Sequence, residues 1–153
     1  MRPNIEADSG VGDFMAAEFS NTCTVQRSMI AAGCTIEGTV VNSILSPGVT
    51  VRAGAEVRDS IIFHDCTIES DAVVDHVICD KKVTVKQGCV IGEGDGWDVA
   101  NEDYPKHLSN GITLIGREAE LLPGIKVGRN CIINPWTTKD MYRSRRIGDG
   151  RSV

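Results

Sequence analysis

Val25–Ile36 reads VQRSMIAAGCTI, Val40–Val51 reads VVNSILSPGVTV, Val57–Ile68 reads VRDSIIFHDCTI and Val74–Val85 reads VDHVICDKKVTV. One twelve-residue phrase is written four times, with starts 15, 17 and 17 residues apart. Its eleventh place is always Thr (Thr35, Thr50, Thr67, Thr84) and its twelfth always aliphatic (Ile36, Val51, Ile68, Val85). A period this short signals stacked units, each of which buries its apolar side only against its neighbours.

Inside the phrase, aliphatic residues recur every five or six positions: Val51, Val57, Ile62, Ile68, Val74, Cys79, Val85, Ile91. Two positions before each sits something small or apolar: Val49, Ala55, Ser60, Cys66, Ala72, Val77, Val83, Cys89. Residues two apart on a strand face the same way. Each hexad therefore predicts a short strand with two inward side chains and one outward between them. Three strands per turn give coils that stack as a parallel β-helix, about 4.8 Å apart. A helix needs apolar steps of three and four, which this stretch does not sustain.

The outward positions differ by face. One carries the four Thr residues, a second carries Thr39, Glu56, Val73 and Val90, and the third carries Met29, Ile44, Ile61 and Ile78. The third set reads in two ways: as an exposed apolar stripe, which marks a partner site, or as inward residues if the phase is shifted by one.

Working outward, residues 1–22 keep neither period and are expected to form a linker or first cap. Residues 23–153 are expected to form one β-helix domain. The short spacing before Val40 requires one tight corner. Residues 92–111, GEGDGWDVANEDYPKHLSNG, break the pattern. Such an excursion is either functional or a solvated loop. Trp97 and Tyr104 are candidates to pin it to the rod. Hexads return at Ile115, Leu121, Val127 and Ile133, with Gly116 and Gly128 expected to supply unusual corner angles. The tail 134–153 should cap the last coil, because a bare coil exposes strand edges. Trp136 and Met141 are candidates to pack there.

The totals exclude several classes. A net charge of −5 does not favour nucleic acid or an acidic membrane surface. No apolar run reaches membrane-spanning length, and no signal-peptide core is present near Met1. The six Cys lack any CxxC pair. Cys34 and Cys66 hold the same phrase position two coils apart, about 10 Å and beyond disulfide reach. Reduced, buried thiols in a cytoplasmic protein, with no metal or cofactor, are the expectation.

The phrases NSILSPGVTV and DSIIFHDCTI, the stretch GITLIGREAELLPGIKVGRNCII and the tail DMYRSRRIGDG resemble the C-terminal hexapeptide-repeat domain of bacterial glucose-1-phosphate adenylyltransferase (ADP-glucose pyrophosphorylase). The resemblance covers about residues 20–153 and implies a left-handed β-helix. It also implies a non-catalytic regulatory and oligomerisation domain of a glycogen-biosynthesis enzyme. The nucleotidyltransferase domain that joins glucose 1-phosphate to the adenylyl group of ATP is not expected in this chain. The implied partners are that catalytic domain, a homo-oligomer (dimer or tetramer) and a sugar-phosphate effector. The stripe of Met29, Ile44, Ile61 and Ile78 would then dock against the catalytic domain or a second rod.

Family members grip anions with basic side chains at the domain junction. Arg117 falls where some carry such an arginine, while Leu121 stands where those members have a second basic residue. Lys106 and His107, in the adjacent insertion, could add charge. The residue alone favours reading Arg117 as an ordinary solvated corner. Three alternatives remain. A hexapeptide-repeat acyltransferase would use His64, His76 or His107 as a general base, and no acyl-donor site is recognisable beside any of them. A metal-dependent hydratase would need those three His on one ion. A purely structural assembly module differs from the leading reading only in binding no effector.

Overall fold

The computed structural model describes residues 15–153. Three parallel sheets wrap one shaft. The first face is built from Glu18–Phe19, Thr35–Ile36, Thr50–Val51, Thr67–Ile68, Thr84–Val85 and Glu120–Leu121. The second runs Thr24–Gln26, Thr39–Val41, Glu56–Arg58, Val73–Asp75, Val90–Ile91, Lys126–Val127 and Arg146–Ile147. The third runs Met29–Ile30, Ile44–Leu45, Ile61–Ile62, Val77–Cys79, Thr113–Ile115 and Ile132–Ile133. The chain visits the faces in rotation, so every strand pairs with the one a full coil later, in register: Thr50 beside Thr67, Val57 beside Val74, Ile62 beside Cys79. This is an all-β parallel solenoid of hexapeptide coils, as expected of a left-handed β-helix. Among the described residues no helix is long and apolar enough to cross a membrane.

The five-or-six-residue spacing explains the core. Val51, Val57, Ile62, Ile68, Val74, Cys79, Val85 and Ile91 are all fully buried. So are the residues two positions earlier, including Ser60. A hydroxyl is tolerated there because it is paired twice. Ser60 Oγ donates to the carbonyl of Arg58 and accepts the N–H of Val77 one coil on, at 2.6 and 3.0 Å. Ser43 repeats the arrangement one coil earlier, with Val41 and Ser60. Hydrogen bonds of this kind offset the cost of taking the hydroxyl out of water.

The coil begins before residue 23, because Glu18–Phe19 already pairs with Thr35–Ile36. Of the stretch expected to be a linker or cap, residues 1–14 lie outside the described residues. The tight corner is Glu37–Gly38, two residues shorter than its counterpart between Val51 and Glu56. A Cβ on Gly38 would meet the carbonyl oxygens of Ala55 and Arg52, the latter at 2.7 Å.

Three packing expectations are corrected. Gly116 and Gly128 do not have positive φ. They are glycines because other chain crosses them: a Cβ on Gly116 would strike Pro135, and one on Gly128 would strike the backbone of Asp149. Trp136 and Met141 do not seal the rod, being 59% and 58% exposed. Ile147, Tyr142 and Val153 pack on the end instead, as Arg146–Ile147 adds a strand beside Lys126–Val127. Tyr104 points away from the rod, 57% exposed, so Trp97 alone of the two aromatics pins the insertion.

Candidate interaction face and basic corner

The third face presents its outward residues as one ladder: Met29, Ile44, Ile61, Ile78, Leu114 and Ile132 are paired in succession. The core behind them is full, with Leu45, Ile62, Cys79, Ile115 and Ile133 at 2% exposure or less. The ladder is therefore outside, not a mis-phased core. Met29, Ile44 and Ile61 are 70%, 44% and 37% exposed, and the rest are half-buried. Leu114 and Ile132 extend the stripe beyond the repeats that revealed it. They lie past the insertion, where the twelve-residue phrase is interrupted, although the hexad count from Ile115 and Ile133 places them outward. The stripe is therefore continuous and apolar from Met29 to Ile132.

The edge between the third and first faces is different in charge. Each turn there donates an N–H to the turn below: Lys82 to His64, Glu118 to Lys81, Trp136 to Arg117, at 2.9, 2.9 and 2.8 Å. These bonds stack His64, Lys81 and Arg117 at equivalent corner positions of successive coils. Lys81, Lys82 and Arg117 are exposed and make no ion pair among the described residues. Asp80 and Glu118 flank them. The sequence hides the alignment of Lys81 with Arg117 because the insertion puts them 36 residues apart (117 − 81), where His64 and Lys81 are 17 apart (81 − 64). Lys106 and His107 are exposed on the insertion. The insertion leaves the rod at the opposite edge of the third face, between Val90–Ile91 and Thr113–Ile115. No hydrogen bond or ion pair joins them to Arg117 among the described residues. The three basic residues read from the sequence thus sit on two edges, and Arg117 has Lys81 and Lys82 as its neighbours.

The insertion is held firmly. Asn101 and Asn130 are fully buried. Asn130 Nδ2 donates to the carbonyls of Gly96 and Trp97 at 3.0 and 3.1 Å, and its Oδ1 accepts the N–H of Gly111 at 2.8 Å. Asn101 Nδ2 donates to the carbonyls of Asn130 and Gly150, and its Oδ1 accepts the N–H groups of Asp103 and Tyr104. The Arg129 guanidinium lies 3.6 Å from the Trp97 ring centroid, donates to the carbonyl of Gly94 and pairs with Asp75 at 3.1 Å. Stacking a guanidinium on an indole away from water is favourable by about 2 kcal/mol.

The three His do not converge. His64 sits in a corner turn, His76 lies edge-on to Trp97 at 4.9 Å with its Nδ1 2.8 Å from Asp75, and His107 is on the insertion surface. Asp59, Asp75 and His76 bring ligand-type atoms within 4.8 Å of one another. The Asp75 carboxylate is already engaged by His76 and Arg129, which makes it a poor cation ligand.

Residues 12–115 match the family described as GlmU-like, C-terminal hexapeptide. The chain belongs to that family. The GlmU-like hexapeptide fold accounts for the coils, and more similar relatives narrow the comparison. The chain is 36% identical over 132 residues to a glucose-1-phosphate adenylyltransferase of Acetivibrio thermocellus, covering 86% of this chain and 30% of that protein. It is 44% identical over 138 residues to one of Thermomicrobium roseum, covering 90% of this chain and 32% of that protein. A relative of the same name from Corynebacterium diphtheriae is 44% identical over 108 residues. The chain thus spans about a third of the length of the curated relatives it matches.

Proposed function

We propose that this hexapeptide domain is the non-catalytic regulatory and assembly part of a glucose-1-phosphate adenylyltransferase. Its third face docks on the nucleotidyltransferase domain or on a second rod. The observation that carries this reading is the six-residue apolar ladder on the outside of a shaft that is already packed. A ladder of this kind gains nothing in an isolated rod and contributes about 25 cal/mol per Å² once covered. Replacing Ile44 and Ile61 together by Asp is expected to leave the coil content unchanged by circular dichroism. Light scattering should then show that self-association, or binding of a separately supplied nucleotidyltransferase domain, is lost. Association unchanged by the double substitution would refute the docking role.

The basic corner supports the regulatory half of the proposal. Lys81, Lys82 and Arg117 offer three cations on one edge, and a guanidinium donates two parallel hydrogen bonds to a phosphate. The effector would be a sugar phosphate held jointly with the catalytic domain, with Lys106 and His107 contributing only if the partner bridges the two edges. The test is calorimetry with fructose 1,6-bisphosphate, pyruvate and phosphate on the assembled enzyme. Lys81→Glu with Arg117→Glu should weaken anion binding at least tenfold, since reversing two contact charges costs more than 1.4 kcal/mol. Equal affinity in the variant leaves a purely structural assembly module, the second reading.

A further inference from the structure

The sulfurs of Cys66 and Cys79 lie 4.0 Å apart inside the shaft, 13 residues apart in sequence. Both side chains are fully buried. Cys66 immediately precedes the first-face strand Thr67–Ile68, and Cys79 closes the third-face strand Val77–Cys79 one coil on. The two thiols therefore face each other across the inside of the basic edge. Two backbone contacts fix this approach. The N–H of Phe63 donates to the carbonyl of Cys79 at 2.9 Å, tying Cys79 to the coil that carries Cys66. The Cys66 thiol donates to the carbonyl of Asp80 at 2.9 Å, so its sulfur already leans toward the later coil. A disulfide has sulfurs about 2.05 Å apart, so closure asks for about 2 Å of combined side-chain rotation. The same-position pair Cys34 and Cys66 is two coils apart and has no such contact.

We propose that Cys66 and Cys79 are a dithiol that hydrogen peroxide converts to a disulfide, stapling the Asp80–Lys82 turn to the coil beneath it. The Cys66 thiolate attacks one peroxide oxygen. The O–O bond breaks, hydroxide leaves and is protonated to water, and Cys66 becomes a sulfenic acid. The Cys79 sulfur then attacks the Cys66 sulfur. The S–S bond forms, the S–O bond breaks, and the departing hydroxide takes the Cys79 proton as a second water. Two electrons pass from the sulfurs to the peroxide. The hydrogen bond from Cys79 lowers the Cys66 pKa, opposing the upward push of burial, whereas Cys79 is raised by serving as the donor and by burial. The pair is thus polarised into attacking and resolving partners. Cys89 and Cys131, pushed up to about 11 by burial, lack such a partner.

The consequence falls on the edge outside. The staple brackets Asp80, Lys81 and Lys82, whose turn is otherwise tied to the coils on either side by hydrogen bonds from Lys82 to His64, from Asp80 to Ile115 and from Glu118 to Lys81. Oxidation would hold Lys81 and Lys82 in register with Arg117. This consequence rests on the proposed anion role of that corner, but the chemistry of the pair does not.

The test treats the folded, reduced protein with hydrogen peroxide under native conditions and reads the intact mass. Support is a loss of 2 Da, a Cys66–Cys79 cross-linked peptide in the digest, and a rise in Tm of roughly 5 °C that dithiothreitol reverses, as expected when a loop of this size is closed. Cys66→Ser and, separately, Cys79→Ala should each abolish the 2 Da loss, and the wild-type peptide map decides the matter if either variant folds poorly. A protein whose mass changes only by oxygen addition, or whose Cys66 and Cys79 both stay alkylatable after denaturation, overturns the proposal. Neither result depends on whether the corner binds an anion, so failure of the staple and failure of the regulatory reading are separately visible.

Discussion

Ile62→Asp is expected to unfold the rod, while Ile61→Asp leaves it standing. The two residues are neighbours on one strand, Ile61–Ile62, and point to opposite sides. Ile62 is fully buried and packs in line with Leu45 and Cys79 of the adjoining coils. An aspartate there has no cation within the shaft to pair with, and an unpaired buried charge belongs to the small class of substitutions costing more than about 4 kcal/mol. A domain of this size has only about 5–15 kcal/mol in total. The damage is not confined to one coil, because each coil is stabilised by its neighbours and breaking one splits the stack. Ile61 is 37% exposed, so its replacement removes part of a docking surface and little else. Circular dichroism melts of the two single variants measure the contrast. Similar melts for both would mean that the outer ladder is not outer at all.

The hexad count sets Ile61 apart from Ile62, Ile44 from Leu45 and Ile78 from Cys79 but leaves a phase shift of one open, and the burial of Ile62, Leu45 and Cys79 closes it. Each coil contributes the same three strands, so a shift of phase moves every coil alike and agreement among the four phrases cannot expose it. What the count could not reach are contacts made across long separations. Asn101 meets Asn130 and Gly150, and Arg129 meets Trp97 and Asp75, with no spacing rule linking them. Lys81 and Lys82 beside Arg117 were missed for the same reason, since the insertion shifts the register between them. Trp136 and Met141 do not form the cap because the cap is set by which tail segment can hydrogen-bond as a further strand, and that is Arg146–Ile147. Gly116 and Gly128 show the complementary error: glycine signalled a special position, but space rather than backbone angle was the constraint.

Asn130→Ala carries the second large effect, and it should be local before it is global. The side chain is fully buried and makes three hydrogen bonds to the insertion, to Gly96, Trp97 and Gly111. Its removal orphans the Trp97 carbonyl and the Gly111 N–H, and leaves the Gly96 carbonyl with only the N–H of Val99, in a space too tight to admit an easy substitute, because Gly111 lies against the Trp97 ring. Each buried group left unpaired costs about 1–3 kcal/mol, so a loss of roughly 3 kcal/mol is expected after partial relaxation. Asn130 itself stands at φ +56, where Asn is tolerated and Ala is strained, which adds to the loss. The coils from Val40 to Ile91 share none of these bonds. Native-state amide exchange should therefore rise first over residues 94–111, with the strands around Val57 and Val74 still protected. Unaltered exchange in the insertion would assign its rigidity to Arg129 and Trp97 instead. An increase spread evenly along the rod would mean that the insertion and the coils fold as one cooperative unit, with the excursion as much a part of the stack as the strands it interrupts.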